Sequence, residues 1–281
     1  GRAVRKYKAA RPDRLVKFKL MGLNSSLMRD AQEDLLGLVS HSREQSQNND
    51  YLKGFYSHLR RNVVGRGGLQ IKPVARFADG TLDRDSNKQI RDGFLKWSRK
   101  GICTTCGKFS FADSQRIALT AAARDGNFLA RKYTGPEFGP YGFQLQHLDI
   151  TMLDVELNKE LDHGHYILAG VECNAVDRPV AYHLFKHNRS YYGGRGERIR
   201  IPAQEIVHLY NPYDQTAPVI GVPWAHTALR RLTQMNSFEE AALSNAVYGA
   251  QKMGFYTRSA DADPDDELGS DQGAATDGQA E

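Results

Sequence analysis

The sequence predicts an α+β protein, because helical and strand-like patterns occupy separate parts of the chain. Apolar residues recur every three or four positions through much of residues 24–126 and again in residues 216–254, as expected of helices with one buried face. Between these, residues 127–215 hold short alternating or β-branched stretches separated by Gly, Pro, Asn and Asp, which predicts strands. The expected order is a helical segment, a β-rich segment and one long helix.

The two ends of the chain differ from this body in charge. The first twenty residues of the segment 1–23 contain eight Arg or Lys and a single acid, which predicts a poorly structured basic arm. From residue 259 onward there are eight acids and no base, and we predict that residues 255–281 are disordered. Without those acids, residues 1–258 carry a net charge of +13. This charge suits a polyanionic partner, with a solvated surface as the alternative for any single patch. The candidate DNA contacts are Arg2, Arg5, Lys6, Lys8, Arg11 and Arg66.

The overall composition is that of a soluble globular protein. The 281 residues are enough for one large or two small domains, and 40% are hydrophobic and 25% charged, which is ordinary. No apolar run is long enough to span a membrane, and there is no signal-peptide core. Three cysteines, an odd number, argue against a disulfide framework. These features predict a cytoplasmic compartment.

The glycine-rich stretch RRNVVGRGGLQIKPVAR, residues 60–76, raises the question of a phosphate-binding loop. A P-loop needs a Gly-Lys-Ser/Thr ending, which is absent here. A dinucleotide loop follows a strand and precedes a helix, whereas here a helix pattern comes first and an alternating stretch, residues 69–77, follows. We therefore predict a helix that ends at Gly65, with a strand after it. The predicted apolar face of that helix is Leu52, Phe55, Leu59 and Val63.

Capping signals define the other helices of the first segment. Asn48, Asn49 or Asp50 can cap the helix that precedes the glycines. A later helix, with Ile90, Phe94 and Trp97 on one face, is expected to stop at Gly101, and the next one at Gly126.

Two patterns could hold a metal ion. The CxxC of residues 103–106 resembles half of a zinc site, but a structural zinc site needs four ligands, and Cys173 is alone in the sequence. We predict two reduced, partly buried thiols and no zinc. The acids of the β-rich segment show no clustering beyond chance; they are Asp149, Asp154, Glu156, Asp162 and Glu172.

No catalytic residue, metal site or cofactor is therefore predicted, because no nucleophile, P-loop or metal constellation is complete. The alternative is a metal-dependent nucleic-acid-processing enzyme built on these acids and the cysteine pair, and a third hypothesis is a monomeric DNA-binding adaptor. His163 and His165 alternate as on one face of a strand, although surface or turn positions are favoured. The aromatic residues near Arg131 could stack bases or form a packed hairpin loop; they are Tyr133, Phe138, Tyr141 and Phe143.

One long helix is predicted from Pro223 to Met253, with Pro223 at its first position. About 30 residues give a length of roughly 45 Å, which is unusual for a compact domain. Half of its apolar stripe is Ala, and small residues suit close helix–helix contacts. We expect this helix to pack on neighbouring subunits rather than in its own core. The candidate subunit contacts are Leu229, Leu232, Met235 and Phe238.

The order of these motifs resembles that of the lambda family of tailed-phage portal proteins. The similar stretches together extend over roughly residues 5–257. They are SREQSQNNDYLKGFYSHLRRNVVGRGG, FLKWSRKGICTTCGKFSF, LQHLDITMLD, HYILAGVECNAVDRPVAYHLF, IPAQEIVHLYNP and GVPWAHTALRRLTQM.

The resemblance implies a portal-like fold with a helical wing segment, a β-rich segment and a stem-like helix. It implies a homo-oligomeric ring at one capsid vertex, through which double-stranded DNA is packaged and ejected. The implied partners are other copies of the chain, DNA bound non-specifically, the terminase ATPase that drives packaging, and capsid and head–tail connector proteins. The implied location is the virion, with the host cytoplasm during assembly. The glycines of residues 65–68 are then a structural hinge.

The chain departs from the family pattern at two places. Many members have Arg directly before Gly-Val-Pro, where this chain has Ile220, so we expect a different approach to the long helix. Members also continue well past a point like Glu281, so the chain is expected to be a fragment or a truncated form.

Overall fold

The computed structural model describes residues 27–186, 196–212 and 219–250, with side chains from residue 31 onward. The predicted α+β class is confirmed. The helices are α1 (Leu27–Asn48), α2 (Asp50–Leu59), α3 (Arg84–Trp97), α4 (Phe111–Arg124) and α5 (His226–Ala250). The strands are β1 (Asn127–Thr134), β2 (Phe143–Leu148), β3 (Lys159–Glu160), β4 (Tyr166–Leu168), β5 (Val171–Cys173), β6 (Pro179–Phe185), β7 (Arg198–Pro202) and β8 (Ile206–Tyr210). The predicted basic arm and acidic segment lie outside the described residues.

The strands form two antiparallel sheets, with the orders β2-β1-β8 and β3-β4-β5-β6-β7. In the first sheet, Leu129 of β1 lies opposite Leu148 of β2 on one side and His208 of β8 on the other. The main hydrophobic core contains residues from both sheets and from α1, where Leu35 is fully buried. Ile220, the residue that departs from the family pattern, is also fully buried in this core. Among the helices of the described ranges, none is both long and apolar enough to cross a lipid bilayer.

The predicted N-cap of α2 and the predicted stop of α4 at Gly126 are confirmed, whereas α3 ends at Trp97, ahead of the expected Gly101. Asn49 is the N-cap of α2, and its side chain accepts a hydrogen bond from the Leu52 amide. Ser110 and Asp113 form a capping box at the start of α4, a reciprocal arrangement that satisfies two backbone donors. At the end of α4, Gly126 has a φ of +79°, a conformation that glycine adopts without penalty.

A partly buried ion cluster, centred on the buried Asp125, joins α1 to the ends of α4 and β2. Arg43 of α1 donates two hydrogen bonds to the Asp125 carboxylate, at 3.0 and 2.8 Å, and contacts both oxygens of Asp149 at 3.0 Å. Arg124 donates to the same Asp125 oxygens at 2.8 and 2.9 Å. Hydrogen bonding to Asp125 raises the pKa of Arg43. Asp125, which is 3% exposed, is thus held by two arginines.

The strand expected over residues 69–77 is absent, and that prediction was wrong. Two helix side chains supply the backbone partners that a neighbouring strand would supply. The Asn87 amide bonds with both the N–H and the C=O of Ala75, at 2.6 and 3.0 Å, and the Gln115 amide does the same for Leu69. Pro73, within the stretch, has no N–H to give to a ladder. The segment is therefore extended but carries only an isolated bridge, between Arg76 and Leu82.

The described residues divide into two compact units at Asn236 and Ser237, and α5 contributes to both. The helix begins at His226, later than the predicted Pro223. The residues before it form a turn, in which the His226 amide donates to the Pro223 carbonyl at 3.0 Å and the Trp224 amide donates to the Ala123 carbonyl at 2.9 Å. In the first unit, Leu229 is 2% exposed and packs with Leu52, Tyr56 and Ala123. The expectation that α5 lies outside its own core is therefore wrong for this part of the helix.

Candidate nucleic-acid interface

The glycine turn after α2 forms a basic pocket. The last turn of the helix widens over Arg60–Val64, and the Gly65 amide donates a hydrogen bond to the Arg60 carbonyl at 3.0 Å. Gly65 has a φ of +69°, so the predicted stop of the helix at this glycine is confirmed. Widened helical turns of this kind are frequent at functional sites. The pocket, of about 300 Å³, is lined by Ser57, Arg60, Arg61, Gly65, Arg66 and Arg116.

Residues of α4 hold the glycine turn in place by contacting its backbone. Arg116 forms an ion pair with Asp113 at 2.8 Å, and its other nitrogen donates to the carbonyls of Gly65 and Arg66. Gly68 lies so close to α4 that a β-carbon there would be 2.8 Å from the Ala112 β-carbon. The shape of the turn is therefore set by α4 before any ligand binds.

The pocket can bind phosphate groups. Arg60 reaches Thr120 at 3.5 Å, while Arg61 and Arg66 are exposed. Neither of these two has an acidic partner among the described residues. The guanidinium group matches phosphate geometry and remains charged, and such contacts recognise the backbone of a nucleic acid rather than its sequence.

Sequence reasoning named only one residue of this pocket, Arg66. The other candidate DNA contacts lie in the arm, outside the described residues; they are Arg2, Arg5, Lys6, Lys8 and Arg11. Arg60 and Arg61 were missed, although two adjacent arginines in the last turn of a helix that ends at a glycine are a usable signal. Arg116 has no such signal, because it lies about 50 residues further along the chain and approaches only through the fold.

An apolar groove of about 320 Å³ lies beside the first turns of α5, within the first unit. It is lined by Tyr51, Leu52, Phe55, Trp224, Ala225, Ala228 and Leu232. Phe55 and Trp224 are each 39% exposed, so two aromatic side chains meet solvent here. The predicted face of α2 was partly wrong, because Tyr56 rather than Phe55 enters the core.

The four candidate subunit contacts on α5 occupy different environments. Leu229 is in the core, Leu232 lines the groove, Met235 is half-buried, and Phe238, in the second unit, is 73% exposed. Their role in subunit contact stays a prediction.

Three of the five acids of the alternative hypothesis each lie beside a different arginine. Asp149 accepts hydrogen bonds from Arg43 and Thr151, Arg198 lies 2.6 Å from Asp154, and Arg200 binds both oxygens of Glu172. Within the described ranges, no three His, Cys, Asp or Glu side chains form a group that could hold a metal ion. The metal-dependent enzyme is therefore not supported by this arrangement.

The pairing of Glu172 with Arg200 and His183 can be tested through the pH dependence of stability. Hydrogen bonds from Arg200, and from His183 at 3.1 Å, lower the pKa of Glu172 from 4.5 to about 2. A lowered pKa stabilises the folded state above pH 4.5, and this contribution is lost as the pH falls toward about 2. Because Arg200 is half exposed, we expect Glu172→Gln to lower the free energy of unfolding by about 1–2 kcal/mol at pH 7.

The measurement is urea unfolding of Glu172→Gln and the parent protein at pH 7 and at pH 3. The difference between the two proteins should shrink at the lower pH. An equal difference at both pH values would contradict the assignment. Glu160→Gln, at an exposed position of β3, is the matched control and should change little at either pH.

The cysteine loop is part of the first sheet's edge. The Cys103 carbonyl accepts a hydrogen bond from Leu145 of β2 at 2.9 Å, and the Thr105 amide donates to the Leu145 carbonyl at 3.0 Å. Cys103 is buried and Cys106 is exposed, and both are free thiols, so the expectation that both are partly buried was wrong. Burial raises the pKa of Cys103, which keeps its thiol protonated and unreactive.

Two further predictions are decided by the fold. His163 is exposed in a turn, with a φ of +59°, so the favoured surface or turn position is confirmed for this residue over the shared strand face. Three of the four aromatics near Arg131 pack in the hairpin, where the Tyr133 and Phe138 rings lie 4.9 Å apart, whereas Tyr141 is 44% exposed. Phe143 packs on Trp97 at 5.6 Å. These rings stabilise the β1–β2 connection.

Comparison with known proteins gives two matches. A family model described as "Phage portal protein, lambda family" matches residues 19–281. A curated "Probable portal protein" of Halomonas phage phiHAP-1 is 34% identical over 230 residues, which is 80% of this chain and 43% of that protein. The chain thus spans less than half the length of this relative.

Proposed function

Because the chain belongs to the lambda family of phage portal proteins, we propose that it acts as a portal subunit. In this proposal, copies of the chain assemble into a ring at one capsid vertex, and double-stranded DNA passes through the ring during packaging and ejection. The observation that carries the proposal is the family match over residues 19–281. The monomeric adaptor and the metal-dependent enzyme have no comparable support.

The arginine pocket supports contact with DNA. Arg60, Arg61 and Arg66 present guanidinium groups on a turn that α4 fixes. A passing duplex must be bound without regard to its sequence and released easily, and exposed arginines that contact phosphates meet both requirements.

The apolar groove supports contact with a second copy of the chain. Trp224 and Phe55 are large aromatic side chains that are partly exposed to water. Exposed apolar groups of this size mark surfaces that bind a partner. Leu232 lies in the groove, and Met235 is close by on the same helix. A neighbouring subunit that covers this groove would bury them, and aromatic residues are enriched in the centres of such interfaces.

The remaining roles follow from the family. We propose that the ring docks the terminase and later the head–tail connector proteins, and that it is held by the capsid. ATP hydrolysis is then the work of the separate terminase, so this chain has a structural rather than an enzymatic role. Its locations are the virion vertex and, during assembly, the host cytoplasm.

DNA binding tests the pocket directly. We expect the double variant Arg61→Glu/Arg66→Glu to bind duplex DNA about ten-fold or more weakly, because two phosphate contacts are replaced by two repulsive charges. The slope of log affinity against log salt should fall by about two, roughly one for each lost phosphate contact. Fluorescence anisotropy of a labelled duplex over a salt series measures both quantities.

The matched control is Lys159→Glu/Arg178→Glu, which makes the same charge change at two exposed positions, one in β3 and one in the turn before β6. If both double variants lose affinity equally, net charge rather than the pocket governs binding. In that case the assignment of the DNA contact is wrong.

A further inference from the structure

A second basic surface combines cations with exposed apolar side chains. It is a groove of about 600 Å³ between the extended segment 71–82 and α3. Arg84, Lys88 and Arg91 form one wall, since spacings of four and three place them on the same face of the helix. Lys72 and Arg76 line the other side.

The walls of this groove are tied to each other without any ligand. The Asn87 amide on α3 bonds with both backbone groups of Ala75, and the Asp83 amide donates to the Ala75 carbonyl at 3.0 Å. Asp83 is also the N-cap of α3, where its side chain accepts from the Ser86 amide at 2.9 Å. A partner would therefore meet a groove that is already shaped, and little ordering of the groove would oppose binding.

The lining of the groove has apolar side chains that are exposed to water and cations that have no acidic partner in the described part of the chain. Ile71, Val74 and Leu82 are 40%, 56% and 50% exposed, which leaves a row of apolar side chains in contact with water. None of the cations that line the groove has an acidic partner in the described part of the chain. Asp85 and Asp92 also lie on α3, about 60° and 40° from Lys88 about the helix axis, but neither forms an ion pair with a cation of the groove in the described ranges.

We propose that this groove docks an acidic polypeptide segment with apolar residues between its acids. The carboxylates would pair with the two cationic walls, and the apolar side chains would cover Ile71, Val74 and Leu82. A nucleic-acid backbone is the weaker fit, because its phosphates would use the cations but leave these apolar side chains exposed. This surface is separate from the arginine pocket, and the proposal does not depend on DNA passage.

The test uses the full chain and a labelled short peptide of Glu-Leu-Ser repeats. A Gln-Leu-Ser peptide removes the charge, a Glu-Ser-Ser peptide removes the apolar side chains, and a short DNA duplex presents phosphates alone. Anisotropy should show the Glu-Leu-Ser peptide binding most tightly of the three peptides. Lys88→Glu/Arg91→Glu should weaken its binding by roughly ten-fold or more. Leu82→Ser should weaken it by a smaller factor.

The matched control is Arg99→Glu/Lys100→Glu, an equal charge change at exposed positions just after α3. It should bind the peptide as the parent does, and thermal unfolding should show all variants folded. Equal binding of the Glu-Leu-Ser and Glu-Ser-Ser peptides, or a duplex that binds more tightly and depends on Lys88 and Arg91, would overturn the proposal. Loss of DNA binding in the arginine-pocket variants leaves it unaffected.

Discussion

Replacing Leu229 with Asp is expected to lower the free energy of unfolding by about 4 kcal/mol or more. Leu229 is 2% exposed and packs against Leu52, Tyr56 and Ala123, so the new carboxylate would be buried without a partner. Losing the apolar contacts of a buried leucine alone costs about 2–5 kcal/mol, and the unpaired charge adds to this. Denaturant unfolding followed by circular dichroism measures the loss.

Leu232→Asp, three residues further along α5, is the matched control. Leu232 is half-buried at the edge of the same cluster and lines the apolar groove. We expect this variant to stay folded, with a loss of about 1–2 kcal/mol, and to lose self-association as measured by light scattering. If Leu229→Asp proves as stable as Leu232→Asp, then α5 does not pack into the first unit as described.

Gly126→Ala is expected to destabilise the protein by about 3 kcal/mol or more. Gly126 has a φ of +79°, and a β-carbon there would lie 2.4 Å from the carbonyl carbon of Val222. Backbone rather than a flexible side chain blocks the space, so the start of β1 and the segment before α5 would have to separate. Asn127 holds the same two segments together through two hydrogen bonds with Gly221, at 2.7 and 2.8 Å.

Gly93→Ala in α3 makes the same change where nothing lies within 4 Å of the added carbon. It should stabilise the protein by about 0.5–1 kcal/mol, because alanine is the better helix former. Thermal unfolding of both variants measures the difference. A Gly126→Ala protein that melts with or above the parent would contradict the close approach of the two segments.

Local signals predicted much of this fold. Asn49, Gly65 and Gly126 act through bonds or backbone angles within a few residues of their own position, so the sequence itself displays their roles. The β-rich segment was equally visible, because alternation and turn residues are short-range patterns. The family followed from the order of these motifs.

Features that depend on partners far apart in the sequence could not be predicted from local patterns. Alternation over residues 69–77 looked like a strand, but the side chains of Asn87 and Gln115 take the place of a neighbouring strand. The pairing of Arg43 with Asp125 spans 82 positions. Arg116 reaches the glycine turn from α4, so the arginine pocket was recognised only at Arg66.

The central claim, that this chain is a subunit of a DNA-conducting ring, is tested most directly by negative-stain electron microscopy of the purified protein. We predict closed rings with an axial hole for the parent protein, and no rings for Leu232→Asp. A field of single, separate particles for the parent protein, with a monomer mass by light scattering at the same concentration, would contradict it.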